Sequence, residues 1–521
     1  MNNVAEASDN AALAGAPATS AFWSRRRVFW LCFALTAVLY SQPQYWNWPE
    51  RRDQANWDYF SQVIARGGAP YKDVVNIKTP ASAYIGAAAI LVAKPFGWRD
   101  IYAIRVTYTL LAALTVALTF MVACQLFDNT RVGVLAAIIL AGIQQFAVLN
   151  IAGVQPKTPM ILFGLVALLA TMKGRSFTAG VFGMLSALSW QPGLLFVGAA
   201  GLGFSRYLTS WRDLKVARLL AGAAVPLIIL LLHLWVAGAV RGFYVWCFQY
   251  PFSVYGPREY TTTQGFLDRF SELLEEPYAI DGKYFYFALA GLLLVISREV
   301  WGALKGGWRA AKQLAPRHQV IIAAIVYSIF CRIDMQGEQD LIPLLPFVAI
   351  FAAALIIFLL DAAAGFGATL EVSARRVWLQ KIKFGAACAV LLIVAVAGVI
   401  SVRVPSKGLS AQLTDSAEIA SQLGPGDRIF AHGQSEMLVL SGLTNASKYT
   451  NLDHGKDNYL DLVEPGGFAG WFERLKTQRP KIVMLARTAN LDRTDVFLAW
   501  LASDYQQREA GVFTYYVRNE P

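Results

Sequence analysis

Between Arg51 and Pro80 the chain reads RRDQANWDYFSQVIARGGAPYKDVVNIKTP, and the acids, amides and lysines of this polar stretch are the groups best placed to do chemistry. Asp53 opens a run in which Trp57, Phe60 and Ile64 recur at helical spacing, and Gly67-Gly68 ends it. The N–H groups and dipole at a helix head favour a carboxylate, so Asp53 reads either as a cap or as a base held at a water boundary. A Pro-punctuated turn follows, Ala69-Pro70-Tyr71-Lys72-Asp73 and then Asn76-Ile77-Lys78-Thr79-Pro80, and it adds the acid Asp73 and the cation Lys78.

The elements that must position these groups are membrane helices. The 521 residues are 56% hydrophobic, 13% aromatic and only 16% charged, and repeated apolar runs reach membrane-spanning length. The formal charge of +11 gathers in short loops between those runs, which is the positive-inside pattern and argues against a nucleic-acid partner. The five cysteines fall in or beside apolar runs, so neither a disulfide frame nor a Cys/His metal site is implied.

Residues 1–24 are a polar, disordered cytoplasmic tail by composition. Arg25-Arg26-Arg27 precedes an uncleaved first span from Val28 to about Tyr40, closed by aromatic residues. Basic loops at 206–218, 298–317 and 375–383 set the parity, with the N-terminus cytoplasmic and residues 43–100 and 238–282 forming loops on the periplasmic side. Residues 81–96 are short for a span and are expected to lie on the membrane as an interfacial helix. The fold class is thus a polytopic α-helical membrane protein of about eleven spans over residues 25–403. The first loop carries two interfacial helices, and residues 404–521 form a small soluble α/β periplasmic domain.

The order Asp53, Tyr59, Gly67, Pro70, Tyr71, Asp73, Lys78, Pro80 resembles the first periplasmic loop of bacterial GT-C glycosyltransferases, the superfamily of the lipid A aminoarabinose transferase and the protein O-mannosyltransferases. Many members carry Asp-Glu and Lys-Pro-Pro where this chain has Asp53-Gln54 and Lys78-Thr79-Pro80. The resemblance implies inverting transfer of a sugar from a polyprenyl-phosphate donor to a glycan, lipopolysaccharide, lipid or protein acceptor at the inner membrane. Asp53 would be the general base, and Tyr59, Tyr71, Asp73 and Lys78 would contact substrate. No cofactor is implied, and the participation of a divalent metal stays open. The family's turns around the lipid phosphate correspond to Gln155-Pro156-Lys157-Thr158-Pro159 and Trp190-Gln191-Pro192-Gly193, making Gln155 and Lys157 candidates, the latter alternatively snorkelling to headgroups.

Farther along, Arg258 sits in an aromatic loop suited to cover an isoprenoid phosphate, and Arg332 borders an acidic outer loop. His233 lies within a span, where a neutral, bonded histidine is the plainer reading. In the C-terminal region, strands at 427–432, 481–486 and 513–517 alternate with helical patterns at 410–423, 468–478 and 494–501, which predicts a largely parallel sheet. There His432 and Glu436 read as structural rather than acceptor-binding. Two rival classes remain, a transporter or flippase for a lipid-linked sugar and a noncatalytic envelope-assembly protein. Against the first, the sequence shows no inverted repeat and no chain of intramembrane acids, and its polar residues concentrate in one outer loop.

Overall fold

The computed structural model describes residues 24–205, 214–254, 265, 267–268, 271, 279–312, 318–333, 338–366, 374–402, 405, 407–486, 488 and 491–519. Among them, five helices are each long and apolar enough to cross a bilayer: Asp100–Phe127, Lys215–Val236, Tyr284–Trp301, Gln339–Ala363 and Lys381–Ile400. Thr130–Gly142 and Gln144–Ile151 make a sixth, bent by 64°. The bend falls at Ile143, whose extended backbone (φ −71°, ψ 108°) breaks the helix, and the amide of Gln144 donates to the Gly398 carbonyl next door. The expectation of about eleven spans takes in, besides these, the shorter apolar helices Lys157–Met172, Ser176–Ser189, Gln191–Phe204 and His318–Ile333, with Arg25–Tyr40 at the front. The chain is a multi-pass membrane protein.

The two ends of the bundle are marked by ion pairs. Arg25 reaches Asp128 at the far end of Asp100–Phe127, while Arg105 near the start of that helix binds Glu50 and the carbonyl of Trp46. Helix Ala81–Ala93, continued through Phe96, is in the same length class as the shorter apolar helices of the bundle, so its flanks rather than its length decide its place. Its leading flank bonds the Ala187 carbonyl through Thr79, and beyond its far end Asp100 accepts from Gln62. Both flanks therefore meet the end of the bundle that carries the C-terminal domain, as an interfacial helix requires.

The C-terminal domain holds a four-stranded sheet of order β1-β2-β4-β3, with β1 Ile429–His432, β2 Ile482–Leu485, β3 Tyr505–Ala510 and β4 Phe513–Arg518. Only β1 and β2 are parallel; β4 runs antiparallel to both β2 and β3, so the expected largely parallel sheet is instead mixed. The missed strand is β3, YQQREA, whose interior residues are exposed and show no apolar alternation. Gly511, at φ +55°, lets the chain turn back into β4. Strands β1 and β2 are buried throughout, which is why their unbroken apolar runs were legible.

This domain packs directly on the first loop. Helix Arg52–Ala65 receives the Asn445 N–H on the Tyr59 hydroxyl at 2.9 Å and the Ser435 hydroxyl on Asn56, while Gln62 donates to the Val439 carbonyl. Asn47 caps the start of Leu409–Ala420 with both its backbone and side-chain oxygens. Gly408 is needed there, because a Cβ would come within 2.5 Å of the Asn47 amide. Gln412 brackets the backbone of Glu50 from the same helix.

Candidate functional site

Asp53 lies half-buried in the first turn of Arg52–Ala65, and Arg51 rather than Asp53 occupies the cap position. The acid therefore sits where the helix dipole favours it without serving as the N-cap that the sequence also allowed. Next to it Gln54 is fully buried, and neither of its side-chain polar atoms has a partner among the described residues. Its Cβ faces Gly153, where an added Cβ would lie 3.2 Å from it and 2.6 Å from Asp58 Oδ2. Gly153 thus lets the Val154-Gln155-Pro156 turn pass tight against the helix that carries Asp53.

That turn leads to Lys157, which is buried, with its side chain 7% exposed, so it does not snorkel to the headgroups. Its ammonium donates to the Asp340 carboxylate at 2.7 Å and to the Gln339 carbonyl at 2.8 Å, and lies 4.7 Å from the centre of the Trp190 ring. Lys78 of the first loop places its own ammonium 4.6 Å from the same ring. One indole therefore organises two cations brought from positions 78 and 157. The ring is fixed by its turn: Tyr327 donates to the Pro192 carbonyl, Phe330 packs edge-on to Trp190, and Gly193 lies so close to Ser186 that a Cβ would sit 2.2 Å from its carbonyl carbon.

The loop that delivers Lys78 is built by the other predicted residues. Tyr71, in the left-handed region at φ 64°, donates its buried hydroxyl to the Lys78 carbonyl, and Asp73 accepts from the Ala69 N–H. Tyr59 spends its hydroxyl on Asn445. All three, expected at substrate, make bonds within the loop or to the C-terminal domain. Gln155 is buried beside Lys157, and its amide nitrogen has no partner among the described residues. Arg332 lies in the last turn of helix His318–Ile333, next to Cys331, whose thiol donates to the carbonyl of Asp340. Arg258 lies outside the described residues.

The aromatic segment from Val240 to Val254 has two faces. Trp246 and Tyr250 are buried against Tyr449 and Tyr459 of the C-terminal domain, while Tyr244, Phe248 and Phe252 line an open apolar groove of about 510 Å³. The Cys247 thiol in this segment donates to the Lys78 carbonyl, which joins the groove's wall to the cation loop. His233 stands edge-on to Tyr84. His432 is satisfied within the domain: its Nε2 accepts from Leu452, so Nδ1 donates to Ala486, and the ring is neutral and structural. Among the described residues no cluster of three or more His, Cys, Asp or Glu side chains could hold a metal ion.

Sequence reading missed four residues that matter here. Trp190 was legible as a turn residue and not as the ring between two lysines. Glu50 and Asp58 were missed altogether, together with their partner Arg105. The available signal was Arg105 itself, an ionised group inside an apolar run that had to find an acid.

No family model matches the chain, and no curated protein matches it in sequence. Solved structures do match. ArnT from Cupriavidus metallidurans bound to undecaprenyl phosphate aligns with a TM-score of 0.57 at 12% identity, over 94% of this chain and 97% of ArnT. Its apo state gives 0.59 at 14% identity, over 95% of this chain and 98% of ArnT. The archaeal oligosaccharyltransferase AglB from Archaeoglobus fulgidus, in complex with an inhibitory peptide and a dolichol-phosphate, gives 0.53 at 12% identity, over 96% of this chain and 75% of AglB. The likeness is one of fold: spans, interfacial loop and small C-terminal sheet together make the GT-C architecture.

Proposed function

We propose that the protein transfers a sugar from a polyprenyl-phosphate carrier to an acceptor hydroxyl on the periplasmic side of the bacterial inner membrane. The observation that carries this reading is the pair of ammonium groups, Lys78 and Lys157, set 4.6 and 4.7 Å from one Trp190 ring. Two cations so placed suit a phosphate that gains charge as its sugar leaves. The apolar groove along Tyr244, Phe248 and Phe252 suits the prenyl chain of such a donor. The solved neighbours are likewise described with undecaprenyl phosphate or a dolichol-phosphate.

In this scheme the acceptor oxygen attacks the anomeric carbon, the bond from that carbon to the phosphate oxygen breaks, and the acceptor's proton passes to Asp53. The lysines take up the charge of the departing polyprenyl phosphate, so no general acid is required. A single carboxylate acting as base gives one displacement and inversion. Positioning of both substrates at the boundary of oil and water supplies several kcal/mol of the acceleration, on the order of what intramolecular reactions show.

The test is incubation of the purified full-length protein with a panel of polyprenyl-phosphate sugars, followed by determination of the product's anomeric configuration. Transfer with inversion is expected. A retained linkage would overturn the single-displacement scheme, and uptake of lipid-linked sugar into vesicles without any transfer would replace it with transport.

A further inference from the structure

Helix Arg52–Ala65 is held at its head by three ionisable groups the scheme above does not use. Glu50, Asp58 and Arg105 are 3%, 0% and 1% exposed. Arg105 Nη2 lies 3.3 Å from Glu50 Oε2, and Nη1 donates to the carbonyls of Trp46 and Tyr45. Asp58 Oδ1 accepts the Val154 N–H at 2.7 Å. The oxygens left over, Glu50 Oε1 and Asp58 Oδ2, are buried with no hydrogen-bond partner among the described residues, and the two carboxyl groups act on each other electrostatically.

A buried carboxylate oxygen without a donor is costly, and a proton retained by one of the two acids would lower that cost. With both acids ionised, the cluster would carry one uncompensated negative charge in a dry site, whereas one retained proton makes it neutral. The other charged or titratable groups facing the pair are Arg105 and Tyr108, both from helix Asp100–Phe127, and the Tyr108 hydroxyl is committed to the Ser82 carbonyl. The turn at Gly153-Val154 and helix Leu409–Ala420 bring backbone and amide groups only, through Val154 and Gln412.

We propose that Glu50 and Asp58 are positioning residues that hold a single proton between them, and that this neutral lock with Arg105 fixes the helix turn presenting Asp53. The proposal rests on the transfer reading for its activity arm and on the fold alone for its stability arm. The expected titration follows from burial. Burial first, and then the Asp58 charge, keep the Glu50 carboxyl well above the ordinary range. Burial raises Asp58 to about 6 against the opposing pull of Glu50, the Val154 N–H and Arg105. A carboxyl raised by folding contributes fully below its unfolded value of about 4 and costs stability as the pH climbs through its folded value. The fold should therefore lose stability from about pH 4 to about 6 as the Asp58 difference is used up, go on losing it until Glu50 gives up the shared proton, and level off above that.

The experiment compares thermal melting, followed by tryptophan fluorescence in detergent, and sugar transfer across pH for the full-length protein, Asp58→Asn, Glu50→Gln and Asp58→Ala. The amide of Asp58→Asn replaces the shared proton with a permanent N–H and leaves Glu50 paired to Arg105. Expected are a melting temperature that falls with rising pH in the parent and is flatter in both amide variants. The alkaline limb of transfer should move up by about one pH unit or more in the amide variants, and transfer in Asp58→Ala should drop by roughly tenfold or more. A parent-like pH slope in both amide variants would overturn the shared proton. An Asp58→Asn enzyme that melts with the parent and is as inert as Asp53→Asn would make Asp58 a participant in the chemistry, and the lock would be wrong. If the parent moves no sugar at all, the transfer reading fails, while the melting comparison still decides the lock.

Discussion

Replacing Asp340 by asparagine separates the two jobs assigned to Lys157. The pair is buried, at 7% and 14% side-chain exposure with 2.7 Å between nitrogen and oxygen, so solvent screens it little. Removing one partner of a buried pair typically costs about 3–5 kcal/mol. Lys157 would keep the Gln339 carbonyl at 2.8 Å and the Trp190 ring at 4.7 Å. A desolvated cation–π contact contributes about 2 kcal/mol, so the loss should fall near or below the lower end, about 2–3 kcal/mol. The double variant Lys157→Met/Asp340→Leu, which removes both charges, should melt close to the parent. Binding should move the other way: without a carboxylate competing for the ammonium, affinity for polyprenyl phosphate should tighten roughly tenfold, about 1.4 kcal/mol. Melting in detergent and titration with the lipid phosphate measure both. If Asp340→Asn weakens binding instead, Lys157 is a strut between helices, and the two-cation site collapses to Lys78.

Three further outcomes follow from the same geometry. Asp53→Asn should fold and melt with the parent but lose transfer; near-parental turnover would remove Asp53 as the base. Lys78→Ala should raise the KM for the donor more than it lowers kcat, and unchanged donor kinetics would deny Lys78 its phosphate. Tyr59→Phe removes the acceptor of the buried Asn445 N–H, so a loss of about 1–3 kcal/mol is expected in melting, and no loss would show that this contact between loop and domain is dispensable.

The membrane architecture was legible because apolar runs and basic loops are one-dimensional signals, and the first loop was legible because Asp53, Pro70, Lys78 and their neighbours lie close together in the chain. What could not be read was convergence. Lys157 and Lys78 are 79 positions apart and meet over the Trp190 ring. Asp58 looked like one more residue of an amphipathic helix, but the backbone of Val154 and the side chain of Glu50 make it a buried acid. Tyr71 and Asp73 matched the expected pattern by type, yet their partners are the carbonyl of Lys78 and the N–H of Ala69. Spacing alone cannot tell a residue that touches substrate from one that shapes the loop doing so. Strand β3 was lost for a related reason: a hairpin edge with solvent on its interior residues has no apolar alternation to read.

A noncatalytic docking module would be expected to hang from the bundle and to be removable. The contacts argue otherwise. Leu409–Ala420 starts on both oxygens of Asn47 and brackets Glu50, Ser435 and Asn445 hold Asn56 and Tyr59, and the Val75 N–H donates to the Lys448 carbonyl. These bonds fall on both sides of Asp53 in the chain and again a few residues before Lys78. Deleting residues 409–521 would strip partners from the buried Glu50, Tyr59 and Gln62 as well as from the loop, so loss of activity on deletion could not distinguish docking from catalysis. A substitution on the exposed edge of the domain does distinguish them. Phe430, Trp471 and Phe497 form its aromatic core, whereas Arg508 and Glu509 are exposed on the edge strand β3. Reversing the charge of Arg508 should leave both melting and transfer unchanged if the domain serves as the outer wall of the site, and should abolish assembly without touching turnover if β3 is a docking edge.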